Sequence, residues 1–109
     1  MMEKFKLNDM IKGWFIGNFE PSLFRTEAVE VAVKTYNPGE FEEEHYHKIG
    51  TEFTVVVEGM IELNDIQYTV NDIVKIGPGE SAKFKSITKS ITVVVKIPGV
   101  INDKFLTKK

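Results

Sequence analysis

The only two histidines of the chain, His45 and His47, stand two residues apart in GEFEEEHYHKIGTE, and a carboxylate, Glu52, follows five residues after the second. Residues two apart on a β-strand project from one face, so both imidazoles would share a side while Tyr46 takes the other. The four residues before Glu52 include Gly50 and are enough to turn the chain, which would return Glu52 to the face of the imidazoles. Two imidazoles and a carboxylate form the donor set that suits non-haem iron, manganese, nickel or zinc. A plainer reading also stands: two polar side chains at the end of a solvent-facing strand, with Glu42, Glu43 and Glu44 as a solvated turn. Spacing alone leaves both open.

Whichever holds, strands must do the positioning. Apolar residues seldom recur at three-and-four spacing, and Gly or Pro interrupts the chain repeatedly, so helix signals are nearly missing. AVEVAVKTY (28–36) alternates, with Val29, Val31 and Val33 on one face and Glu30, Ala32 and Lys34 on the other. FTVVVEG (53–59) is an apolar run of strand length. IELNDIQYTV (61–70) reads as two strands joined by Asn64 and Asp65, residues that tolerate the positive φ of a tight hairpin. DIVKI (72–76), AKFKSI (82–87) and the β-branched SITVVVKI (90–97) follow, separated by Pro-Gly turns and polar residues. Short strands with turn signals at about 8–12 residue spacing predict an all-β sandwich or barrel.

The 109 residues allow one domain with a buried core. Residues 1–25 are expected to form an N-terminal arm and 102–109 a partly mobile tail. The net charge of −2 arises from 14 basic and 16 acidic residues mixed along the sequence. No basic field gathers phosphates, so neither nucleic acid nor an anionic membrane is an expected partner. The absence of cysteine excludes thiolate metal sites, disulfides and a thiol nucleophile. The opening segment, broken by Lys4, Lys6, Asp9 and Lys12, has no apolar stretch of signal or membrane length, which makes the cytoplasm the expected location.

From Gly39 to Gly59 the chain resembles the first motif of the cupin family: a glycine, five residues, His-x-His, four residues, a glutamate, six residues and a glycine. Gly39, His45, His47, Glu52 and Gly59 fill every fixed position. The resemblance implies a double-stranded β-helix, a jelly-roll barrel that often dimerises, with the motif side chains around a divalent metal inside it. A homodimer and a small-molecule ligand are therefore expected. GWFIGNFEPS (13–22) and KIPGVINDKF (96–105) are also similar to small single-domain cupins.

The second motif departs from the family. DIVKIGPGESAKF (72–84) is similar to its pattern of aspartate, strand and Pro-Gly turn, but the family's fourth ligand, a histidine three residues past the glycine, is Ala82 here. Two functional expectations follow. One is a divalent-metal-dependent enzyme on a small polar molecule, with His45, His47 and Glu52 as ligands. The other is a metal-free cupin that binds a sugar or organic acid, or serves as an accessory protein. Trp14, Phe15, Phe19 and Phe24 are expected to cover one end of the barrel or a dimer contact rather than to line a ligand mouth. Tyr36, Tyr68 and Thr54 are candidates for the barrel interior, with their faces unassigned because one register slip reverses them.

Overall fold

A computed structural model describes residues 1–108. The alternating segments become strands in two antiparallel five-stranded sheets. The first sheet contains β1 (Trp14–Ile16), β2 (Glu30–Tyr36), β9 (Ser90–Ile97), β4 (Thr51–Glu58) and β7 (Ile73–Ile76), in that spatial order. The second contains β10 (Lys104–Leu106), β3 (Phe41–His47), β8 (Ala82–Ser86), β5 (Met60–Leu63) and β6 (Ile66–Thr69). Among the described residues the only helical element is a 3₁₀ turn at Leu7–Asp9, and no helix is long and apolar enough to cross a membrane. The all-β jelly-roll expectation holds.

Local chemistry fixes the turns. Asn64 and Asp65 have φ of 52° and 67°, as the β5–β6 hairpin requires, and Leu63 pairs with Ile66 across it. Gly59, the glycine that closes the first motif, has φ of 81° between β4 and β5. A Cβ there would lie 2.2 Å from the Lys89 carbonyl oxygen, so the position has no room for a side chain.

Residues 42–44 do not form a turn. They continue β3, and the ladder to β8 runs Glu42 opposite Phe84 and His45 opposite Ala82. Three steps on β3 therefore match two on β8, a β-bulge that inserts one residue. Without it, Glu42 and His45 would face opposite ways, because their separation is odd. With it, both stand across from inward-facing residues of β8.

The interior divides into an apolar half and a polar half. Val56, Ile61, Leu63, Ala82 and Phe84 form the buried core, with Tyr36, Tyr68, Val74 and Ile76 packed on it. Val56 and Ile61 are wholly buried, each contributing about 1.5–3 kcal/mol. The Tyr36 and Phe84 rings meet at 4.5 Å between centroids. On β2 and β9 the interior face is the more polar one: Glu30, Ala32 and Lys34 oppose Lys96, Val94 and Thr92. The valines at 31, 33, 93 and 95 point outward. Val31 and Val33 align with Val95 and Val93, and across β9 with Phe53 and Val55, giving the first sheet an apolar outer face. Ile73, at its edge, is 65% exposed.

Candidate functional site

The polar half of the barrel holds a cavity of about 960 Å³. His45 and His47 enter it from β3, and Glu52 enters from β4 in the facing sheet. Ala82, 6% exposed, lines it from β8, directly opposite His45. The sequence-predicted cluster thus converges on one space. In the arrangement seen, however, no three His, Asp or Glu side chains among the described residues stand close enough to hold a metal ion. The imidazole centroids are 5.4 Å apart, with planes tilted by 43°.

Each candidate donor is held by its surroundings. His45 Nδ1 lies 2.9 Å from the Glu43 carbonyl oxygen, on the bulge. A carbonyl only accepts, so Nδ1 donates a proton, and Nε2 of the neutral ring keeps the lone pair a metal would need. Burial, reinforced by the Lys96 ammonium, lowers the pKa of His47 against the opposing pull of Asp103, which favours the neutral ring. Burial also raises the pKa of Glu52, and the nearby Glu42 carboxylate adds to it, while His45, Thr54 and Lys34 oppose. The Thr54 hydroxyl, 4% exposed, donates to Glu52 Oε2 at 3.3 Å. As donor chemistry the set fits a divalent cation: two imidazoles and a buried carboxylate whose charge a cation would offset.

The bend that returns Glu52 to the cavity depends on a residue far along the chain. Asp103, 3% exposed, accepts from the backbone N–H groups of Lys48, Ile49 and Gly50 at 2.8–3.1 Å. Burial alone would raise its pKa, but these three donors outweigh that and hold the carboxyl below its ordinary range. Cα pairing of Lys104 with His47 and of Leu106 with His45 lays β10 along the outer edge of β3.

Two further cavity residues, Lys34 and Lys96, were not singled out by sequence. Lys34 projects inward from β2, and its Nζ lies 5.3 Å from the centroid of Trp14, which also lines the cavity. Trp14 is therefore at the ligand space, whereas Phe24 is 67% exposed. Lys96 is the cross-strand partner of both Glu30 and Glu52, and its Nζ pairs with Glu30 Oε1 at 2.8 Å, each side chain 10% exposed. That pairing leaves Glu52 outside the ion pairs found among the described residues. Tyr36 and Thr54 both line the cavity, and burial raises the Tyr36 pKa far out of the physiological range. The alternation in 28–36 separated the two faces of β2; which one faced inward depended on the partner strand.

No family model matches the sequence, and no curated protein matches it. Solved structures do. An uncharacterised conserved protein with a double-stranded β-helix domain from Klebsiella pneumoniae superposes with a TM-score of 0.70 at 23% identity, covering 97% of this chain and 92% of its own. An RmlC-like cupin protein from Desulfovibrio desulfuricans gives 0.62 at 21% identity, over 69% of this chain and 76% of its own. The DMSP lyase DddQ from Ruegeria pomeroyi gives 0.70 at 15% identity, over 86% of this chain, which spans about half (49%) of the lyase. At these identities the likeness concerns the fold, and with the two sheets described above it establishes that this chain has the cupin fold, a double-stranded β-helix.

Proposed function

We propose that the chain binds a small polar molecule in its barrel cavity beside a divalent metal ion, with His45, His47 and Glu52 as the metal's ligands. The supporting observation is that these three side chains, and no other histidine, line one cavity from facing sheets. A bound ion would supply Lewis acidity or an oxygen-binding centre, with positions left open because Ala82 contributes no donor. The chain's own residues prepare the donors: the Glu43 carbonyl sets the His45 tautomer, burial favours the neutral form of His47, and Thr54 orients the Glu52 carboxylate. From the lyase of the same fold we extend to this chain only that such a cavity can carry catalysis. The apolar outer face of the first sheet fits a homodimer, two copies burying their valine rows against each other.

A second reading, a cavity that binds a sugar or organic acid without metal, is favoured by the absence of a preassembled cluster of three donors among the described residues. Elemental analysis of untagged protein purified without chelator separates the two. Close to one equivalent of metal, lost in His47→Ala, supports the first. A wild-type protein that cannot be loaded with Fe(II), Mn(II), Ni(II) or Zn(II) overturns it and leaves the second.

A further inference from the structure

Two groups on one rung of the first sheet lack the partners their chemistry requires. Lys34 on β2 and Thr92 on β9 are Cα partners, and both line the cavity. Ion pairs among the described residues join Arg25 to Glu20, Lys83 to Asp65 and Lys96 to Glu30, and none includes Lys34. Its ammonium rests near the Trp14 ring, a weak substitute for a counter-ion. Thr92 is 1% exposed, and its Oγ1 has no hydrogen-bond partner. Buried hydroxyls in folded proteins are nearly always satisfied, so an orphan on a residue that lines a ligand space leaves one hydrogen bond open to a ligand atom.

We propose that Lys34 and Thr92 together anchor a carboxylate of the cavity's ligand, which makes that ligand a small monocarboxylic acid. This rests on the reading that the cavity takes a small polar molecule. An oxyanion on this rung accepts from the ammonium and from the threonine hydroxyl, satisfying both at once. Charge balance selects the anion. Lys34 enters no ion pair, and five glutamates, Glu40, Glu42, Glu43, Glu52 and Glu80, outnumber the four lysines, Lys12, Lys34, Lys96 and Lys104, that line the same cavity. A singly charged carboxylate is neutralised there, whereas a doubly charged phosphate would leave a negative charge facing those glutamates. Burial lowers the Lys34 pKa, with Lys104 and Lys12 adding to it and Glu42 and Glu52 opposing.

The test uses 3-hydroxypropionate, its neutral amide and inorganic phosphate as probes, on protein kept in chelator and on protein loaded with Mn(II). Binding is read by calorimetry and by the shift in Tm. In chelator, wild type is expected to bind the acid in clear preference to both the amide and phosphate. Lys34→Met should weaken the acid by at least about tenfold while Lys34→Arg stays within about threefold of wild type. Thr92→Val should also weaken the acid by about threefold or more, and should raise the Tm of the ligand-free protein because it removes the orphan hydroxyl. Equal binding of acid and amide, tighter binding of phosphate, or unchanged acid affinity in Lys34→Met would each overturn the proposal. The metal reading fails separately: no metal would load, while acid binding in chelator persists. Metal loading together with unchanged acid affinity in Lys34→Met sinks the carboxylate anchor alone.

Discussion

His45 and Ala82 face each other across the β3–β8 ladder, so the place where a fourth ligand would project is occupied by a methyl group directly opposite the first histidine. The gap is thus a missing side chain on a correctly placed strand. Ala82→His should tighten divalent-metal binding by at least about tenfold, roughly 1.4 kcal/mol. Calorimetric titration with Mn(II) is the measurement, and an unchanged affinity would mean that the three existing donors do not converge on an ion. Because Ala82 also belongs to the buried core, the metal-free variant should lose about 1–3 kcal/mol of stability by overpacking.

Asp103 ties the bend between β3 and β4 to a segment more than fifty residues later in the chain. Its pKa lies below the ordinary 3.8 in the folded protein, so its contribution is complete above that value and is lost as pH falls through the folded-state pKa. Asp103→Asn replaces one acceptor oxygen by an N–H₂ group that cannot accept and should cost about 2–3 kcal/mol at pH 7. Urea unfolding at pH 7 and pH 3 checks this, and the difference between variant and wild type should narrow at the lower pH. Metal affinity should fall with it, since the bend carries His47 and Glu52 on either side.

Glu52 has the opposite sign. Its pKa is raised above the ordinary 4.5, so the stability linked to it is present below that value and is lost as pH rises through the folded-state pKa. Kept in chelator, Glu52→Gln should have a higher Tm than wild type at pH 7, and the two should converge near pH 4. Metal binding should move the other way, weaker by at least about tenfold in the variant. Comparing the two proteins removes the influence of His47. Its lowered pKa gives a contribution present above the ordinary 6.5 and lost on acidification, and it is common to both.

The valine rows of the outer face give a prediction about assembly. Val93 stands between Val33 and Val55 at the middle of that face. Wild type should elute as a dimer in light-scattering chromatography at micromolar concentration, and Val93→Lys, with an unchanged circular dichroism spectrum, as a monomer. A monomeric wild type would remove the dimer from the proposed function.

Much of the site was legible because its signals are local. A two-residue spacing puts His45 and His47 on one face of any regular strand, and a glycine-containing bend followed by an apolar run brings Glu52 back. Glu42 was not legible. Three consecutive glutamates read as a solvated turn, and only the ladder to β8, with its inserted residue, turns Glu42 toward the interior. Nor was the inward face of β2: three valines at alternate positions mark a face without saying whether a core or a partner covers it, and here the polar alternates look inward.

The sequence by itself determined β2 and the strands from β4 to β9, the turns between them, the candidate donors and the missing fourth one, because alternation, turn chemistry and motif spacing act over a few residues. Tertiary structure alone decided that Lys34 and Thr92 share a rung, that Lys96 turns to Glu30 and leaves Glu52 unpaired, and that Asp103 holds the bend. The physical reason is that these relations join residues tens of positions apart. Cross-strand register, the bulge in β3 and competition for each buried charge select them, and none of these is written in local spacing.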